Sequence, residues 1–136
     1  MSPVFLDTGY IIALEAIDDQ HHSEALHHWQ SFCAKGLSSI VTTSYVFDEI
    51  VTFFNSRNRH QKAVEIGERL LSSPSVQLRY VDQELFCSAW KLFKQRSDKR
   101  FSLTDCVSFI VMEEQNLKLA LTFDRHFVQA GFQKMP

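Results

Sequence analysis

The chain has 136 residues, a formal net charge of −2, 45% apolar residues and 22% charged residues. This length suits one domain spanning residues 1–136 with one hydrophobic core, and the composition is that of an ordinary globular protein. A net charge of −2 means that the protein as a whole does not attract nucleic acid electrostatically, although a local basic patch would be enough to bind it. We expect no signal peptide and no contact with a membrane, because no apolar run approaches the ~20 residues that cross a bilayer.

Short apolar runs alternate along the chain with segments whose apolar residues have helical spacing. Strands are predicted over 3–6, 38–43, 76–81, 119–123 and 131–135. Helices are predicted over 8–16, 19–35, from Ser44 onward, and over 57–72, 82–98, 102–116 and 124–130. Strands joined through one or two helices need right-handed crossovers, so we expect an α/β fold with a parallel sheet between two helical layers.

Apolar spacing also predicts which residues face the core. On the helix over 82–98 these are Leu85, Phe86, Ala89, Leu92 and Phe93. The helix over 102–116 is apolar almost throughout, so it should be central. The helix from Ser44 has more apolar residues than one face needs, and Phe53 or Phe54 could form a partner surface or simply pack in the core.

Three cysteines, Cys33, Cys87 and Cys106, lie far apart within apolar stretches. They form neither a CxxC pair nor a zinc-ligand spacing. We therefore expect reduced core thiols in a cytoplasmic protein.

Four acidic residues stand where strands end or helices begin. Asp7 follows the first predicted strand and Asp124 follows the strand over 119–123, so in a parallel sheet both should face the crevice at its C-terminal edge. Glu49 lies in the apolar segment "SYVFDEIVTFF", on the helix that leaves the second strand. Asp105 lies in "FSLTDCVSFIVM", in the first turn of the central helix.

Each acid also has a purely structural interpretation. Asp7 and Asp124 could be helix N-caps, and Ser102 with Asp105 matches a capping box. Caps alone do not explain why the acids converge on one end of a sheet, where two like charges at ~4 Å repel by about 1 kcal/mol in water and more in a cleft. A divalent cation removes this repulsion, and an all-carboxylate site favours Mg²⁺ or Mn²⁺. Such a site is suited to metal-assisted hydrolysis of a phosphodiester.

Five segments carry a family resemblance that covers nearly the whole chain: "FLDTGYIIAL", "DQHHSEAL", "SYVFDEIV", "FSLTDCVSFIVM" and "LALTFDRHFVQAGF". In these segments the sequence resembles the PIN-domain family of ribonucleases, in particular the VapC-type toxins of bacterial toxin–antitoxin systems. The resemblance implies a five-stranded parallel α/β/α sandwich. It also implies an Mg²⁺-dependent endoribonuclease, with Mn²⁺ as a substitute, that is selective for single strands and leaves a 5′-phosphate and a 3′-hydroxyl.

The resemblance also assigns roles to individual residues and partners. Asp7, Glu49, Asp105 and Asp124 correspond to the acidic quartet that binds the metal and activates water. Thr8 and Thr122 correspond to hydroxyls that support the first and last acids. The expected partners are an RNA substrate, a second copy of the chain, and an antitoxin helix that fills the cleft.

Basic residues near the acids are candidates for substrate contact. Lys99 and Arg100 end a basic run that leads into the Asp105 segment, and His126 follows Asp124. Solvated helix faces and surface packing are the structural alternatives, as they are for the second basic run around Arg57.

Two other functions are alternatives to this one. The first is a PIN-like module that binds nucleic acid or protein with weak or no nuclease activity. The second is a phosphatase of the haloacid-dehalogenase type, but that chemistry needs D-x-D after the first strand, and Gly9 stands where the second Asp should be.

Overall fold

The computed structural model describes residues 3–36 and 39–136. In these residues five strands form one sheet: β1 (Val4–Leu6), β2 (Ile40–Thr43), β3 (Val76–Arg79), β4 (Leu119–Leu121) and β5 (Gln133–Met135). The helices are α1 (Thr8–Glu15), α2 (His22–Ala34), α3 (Ser44–Ser56), α4 (His60–Ser72), α5 (Gln83–Gln95), α6 (Leu103–Glu114) and α7 (His126–Gln129). Every predicted element is present, with ends that shift by a few residues. The predicted start of the second strand, Ser38, lies outside the described residues.

The sheet has the strand order β3-β2-β1-β4-β5, and all four strand pairs are parallel. The predicted parallel α/β/α sandwich is therefore confirmed. Strand β1 is central, since Phe5 pairs with Val41 on one side and with Ala120 on the other. The chain builds β2 and β3 on one side of β1 and then crosses to build β4 and β5 on the other. The C-terminal ends of β1 and β4 therefore flank the crevice where ligands bind in sheets of this type.

The core lies on both faces of the central strands. All residues of β1 and β2 are buried, because helices cover the sheet on both sides. Phe5 is fully buried beside Phe127 of α7, and Phe127 packs edge-on against Phe109 of α6. Helix α6 has seven buried residues, which confirms its predicted central place.

Helix α5 corrects one part of the predicted core. Leu85 and Ala89 are buried as expected, but Phe86 and Phe93 are 41% and 40% exposed. Trp90 is 45% exposed and stacks on Phe93 at 5.5 Å between ring centroids. Because α5 packs mainly against α6 and lies at the outside of the molecule, one face of its broad apolar surface is left uncovered.

Two further predictions are resolved by burial. All three cysteines are free, but only Cys106 is a core residue, since Cys33 and Cys87 are exposed. Phe54 is fully buried, whereas Phe53 is partly buried beneath the guanidinium of Arg57, 3.7 Å from the ring centroid. Core packing therefore accounts for Phe54. No helix in residues 3–36 or 39–136 combines the length and the apolar character needed to cross a membrane.

Candidate active site at the C-terminal edge of the sheet

Asp7 directly follows β1 and is held at the edge of the sheet. Its backbone N–H donates to the carbonyl of Leu121, so the ladder between β1 and β4 continues to this residue. The side chain is only 6% exposed, and its Oδ2 accepts a hydrogen bond of 2.7 Å from the Thr122 hydroxyl. Asp7 occupies the N-cap position of α1, but its side chain makes no capping hydrogen bond. The structural interpretation of Asp7 as a helix cap is therefore wrong.

Burial makes the charge of Asp7 costly. Burial above all, with smaller contributions from the carboxylates of Asp105 and Asp124, raises the pKa of this carboxyl group from its ordinary 3.8 to about 7, against the lowering effect of the hydrogen bond from Thr122. This effect indicates that Asp105 and Asp124 are close enough for their charges to repel that of Asp7. Near neutral pH the site holds a proton that an opposing positive charge would displace.

Asp105 lies in the first turn of α6 and is 8% exposed. The predicted capping box is present: Ser102 N–H donates to Asp105 Oδ2 at 3.1 Å, and Asp105 N–H donates to Ser102 Oγ at 3.0 Å. Burial raises the pKa of Asp105, and the charge of Asp124 adds to this effect. The capping box thus fixes the orientation of Asp105 without providing a full countercharge.

Asp124 lies in the turn between β4 and α7. Its Oδ1 accepts a hydrogen bond of 2.9 Å from the backbone N–H of His126, two residues on, which closes an Asx-type turn. The N-cap of α7 is Arg125, so the prediction of Asp124 as a helix N-cap is wrong. The backbone N–H of Asp124 donates to the Thr122 hydroxyl at 2.9 Å. Thr122 is fully buried. Its hydroxyl donates to Asp7 and accepts from the backbone N–H of Asp124, so it links the two residues.

Glu49 stands apart from the other three acids. It lies on α3 and is exposed, and its Oε1 accepts a hydrogen bond of 2.6 Å from the hydroxyl of Thr8, the neighbour of Asp7. Thr8 therefore supports Glu49, whereas the sequence placed it beside Asp7. This contact links Glu49 to the residue that follows Asp7, but Glu49 lies outside the cluster of Asp105, Asp124 and His126.

His126 is the residue whose position sequence reasoning did not find. Its Nδ1 lies 3.2 Å from Asp105 Oδ2 and 3.2 Å from Asp124 Oδ1, and its ring packs edge-on against Phe101. Surface packing therefore does not describe this side chain. The available signal was the "DRH" turn, since an Asp side chain can accept a hydrogen bond from the backbone N–H two residues on, which keeps that residue close to the acid.

Lys99 and Arg100 lie in the loop between α5 and α6, because α5 ends at Gln95 and not at residue 98 as predicted. Lys99 is partly exposed and Arg100 is exposed, and they directly precede Phe101, which contacts His126. In the sequence, Lys99 and Arg100 are therefore a few residues from Asp105.

The second basic run has other partners. Arg57 and Arg59 lie over the rings of Phe53 and Phe54, and Lys62 pairs with Glu15 at 2.9 Å. This favours its structural interpretation.

The donor atoms at this edge fit a divalent cation. One ligand atom each from Asp105, Asp124 and His126 lie within 4.8 Å of one another. Asp7 adds a buried carboxylate whose charge only a nearby positive charge would offset. Carboxylates with an imidazole can bind Mg²⁺, Mn²⁺ or a later transition ion. A metal ion held by such a set of atoms would lower the pKa of a water bound to it.

Comparison with known proteins agrees with this architecture. Residues 4–133 match the PIN domain family. The chain belongs to the PIN-domain family. It is 30% identical over 129 residues to the 23S rRNA-specific endonuclease VapC20 of Mycobacterium tuberculosis, covering 95% of each protein. It is 28% identical over 123 residues to a VapC ribonuclease of Archaeoglobus fulgidus, covering 90% of this chain and 77% of that protein.

Solved structures give the same grouping. The crystal structure of M. tuberculosis VapC20, described as a sarcin-ricin loop cleaving toxin, superposes with a TM-score of 0.84 at 29% identity and 95% coverage of both chains. A toxin–antitoxin complex from Klebsiella pneumoniae shares the fold, with a TM-score of 0.64 at 12% identity, over 98% of this chain and 96% of that one. The PIN-domain protein described here is thus of the VapC type.

The raised pKa of Asp7 predicts how stability depends on pH. Between pH 4 and pH 7 the native state binds more protons than the unfolded state, so this group makes the protein less stable as pH rises through that window. Without divalent ions, Asp7→Asn should increase the free energy of unfolding at pH 8 by up to about 4 kcal/mol. The increase should vanish near pH 4. Urea unfolding at both pH values in EDTA measures this difference.

The control is Asp18→Asn, an exposed acid between α1 and α2. It should leave stability unchanged at both pH values. A loss of stability in Asp7→Asn at pH 8 would contradict the assigned cost of the buried charge.

Proposed function

We propose that this chain is an Mg²⁺-dependent endoribonuclease, the toxin of a toxin–antitoxin pair, acting in the cytoplasm as a single PIN domain over residues 1–136. The observation that carries the proposal is the convergence of Asp7, Asp105 and Asp124 at the switch point of the sheet. The nuclease class follows from membership of a family that includes the endonuclease VapC20 and a VapC ribonuclease.

The proposed site has a clear division of labour. Asp7, Asp105 and Asp124 would hold Mg²⁺ or Mn²⁺, with Glu49 contributing from the rim. When bound, the ion would lower the pKa of a water and offset charge on a phosphoryl oxygen. Thr122 orients Asp7, the capping box orients Asp105, and Thr8 orients Glu49. This preorganisation means that little reorientation is needed during the reaction.

The proposed substrate is single-stranded RNA, and in-line attack by water would leave a 5′-phosphate and a 3′-hydroxyl. RNA as the substrate is supported by the similarity of the chain to VapC20, a 23S rRNA-specific endonuclease. Single strands fit an exposed edge, because an unpaired strand can bring one phosphate close to buried acids more easily than a duplex can.

A PIN-like binding module without nuclease activity is the second candidate. It is favoured by the position of Glu49, which lies outside the group of donors formed by Asp105, Asp124 and His126. Titration with Mg²⁺ and Mn²⁺ followed by an RNA cleavage assay separates the two functions. Metal binding without cleavage of any RNA tested would favour the module.

We also propose a homodimer through the exposed face of α5. Phe86, Trp90 and Phe93 follow one another at helical spacing, and each is at least 40% exposed. Large aromatic residues on one uncovered helix face are typical of a protein interface. Sedimentation equilibrium of the wild-type chain measures the mass directly, and a monomer at all concentrations would rule this dimer out.

The proposed antitoxin is a second protein whose helix covers the acidic edge. It is supported by the shared fold of a toxin–antitoxin complex. A short reading frame directly upstream of this gene is the most informative observation. Co-purification of its product with this chain, and loss of nuclease activity in that complex, would support the pairing, whereas undiminished cleavage would contradict it.

Removing one acid should abolish catalysis and preserve the fold. Asp105→Asn should lower kcat on RNA by at least about 100-fold, because the neutral amide no longer holds the cation. Glu49→Gln should also lower kcat, whereas the matched control Asp48→Asn should not, since the exposed Asp48 only accepts a hydrogen bond from Thr52. Cleavage at a full rate in EDTA would refute the mechanism.

Lys99 and Arg100 should contribute to RNA affinity through phosphate contacts. Replacing either with Ala should weaken binding of a single-stranded RNA and reduce the slope of log Kd against log salt by about 0.7 per lost contact. Lys118→Ala is the control, because Lys118 precedes β4 and so lies at the opposite end of the sheet. Filter binding between low and moderate salt measures the slope, and identical slopes would contradict the assignment.

A further inference from the structure

The imidazole of His126 is fixed between two carboxylates of the site. Its Nδ1 lies 3.2 Å from Asp105 Oδ2 and 3.2 Å from Asp124 Oδ1. Its backbone N–H is bound to Asp124, and its ring packs edge-on against Phe101 at 5.5 Å between centroids. The ring is therefore held in place by contacts on both the main chain and the side chain.

The spacing of these three donors is that of ligands around one ion. Two ligands that lie about 2.1 Å from an ion are about 3.0 Å apart at right angles and about 3.4 Å apart in a tetrahedron. The two distances of 3.2 Å from Nδ1 fall between these values. The three atoms all lie within 4.8 Å of one another, so one ion could contact all of them, in exchange for the hydrogen bond between Nδ1 and Asp105 Oδ2.

We propose that His126 supplies a nitrogen ligand to the metal ion of this site, so that Mn²⁺ and later transition ions bind there more tightly than Mg²⁺, which the carboxylates can still hold. The proposal rests on the proposed function, because it concerns the ion of the same site. Imidazole suits transition ions, whereas Mg²⁺ prefers a shell made only of oxygen. Asp105 and Asp124 supply the oxygens that either class of ion requires.

Other histidines of the chain have different surroundings. His28 contacts the hydroxyl of Tyr10 at 2.7 Å, and His60 contacts the amide oxygen of Asn55 at 3.0 Å. Neither of these two partners is a carboxylate. His60 is exposed at the start of α4, which makes it a suitable control.

The experiment uses the full chain without a histidine tag, loaded with Mn²⁺ alone. Three-pulse electron spin-echo spectroscopy detects a nitrogen bound to Mn²⁺, and labelling of histidine with ¹⁵N identifies its source. We expect an imidazole signal in the wild type and in His60→Ala, and its loss in His126→Ala and His126→Gln. In titrations with each ion, the preference for Mn²⁺ over Mg²⁺ should fall by about tenfold or more in the His126 variants.

The outcomes separate this inference from the function on which it rests. Tight binding of Mn²⁺ to the wild type without a histidine signal would overturn the inference and leave the proposed nuclease intact. A signal or a preference unchanged in His126→Ala would also overturn it. If the wild type binds neither ion, the proposed metal-dependent function itself fails. A wild-type spectrum without a histidine signal overturns the inference even if one variant does not fold, and the other His126 variant then assigns any signal that is present.

Discussion

The buried charge of Asp7 is the constraint on which the arrangement of the site depends. Strand β1 is central and covered by helices on both faces, so a carboxylate at its end is removed from water. One hydroxyl, that of Thr122, contacts it directly, and two further acids raise the cost of its charge. A bound cation is the simplest means of offsetting the negative charge of these three acids. The proposed metal-dependent nuclease would hold such a cation.

The other acids are held by local backbone geometry. Asp105 is fixed by the capping box of α6, and Asp124 by the turn that begins α7. Each of these structural hydrogen bonds uses one lone pair of one carboxylate oxygen, so the other lone pairs of the group can still bind a ligand. A cap and a catalytic role are therefore compatible in the same residue, and evidence for a cap does not argue against a site.

The protein separates its chemistry from its apolar surface. The acids meet at the ends of β1 and β4, whereas Phe86, Trp90 and Phe93 lie on the outer face of α5. The loop that follows α5 brings Lys99, Arg100 and Phe101 back toward His126. The surface of α5 and the residues that we expect to contact RNA are thus separated by only a few residues of the sequence.

The sequence by itself determined the element order and the parallel sheet, because strands buried on two faces have continuous apolar runs. It also determined the acids at strand ends, because the signals that begin a helix lie within a few residues of each other. It did not determine the outer face of α5, since apolar spacing shows that Phe86 and Phe93 share a helix but not what covers them. The tertiary structure alone placed Glu49 beside Thr8 and the ring of His126 between Asp105 and Asp124. These contacts join segments distant in the chain, and their distances are set by how α3, α6 and α7 pack on the sheet.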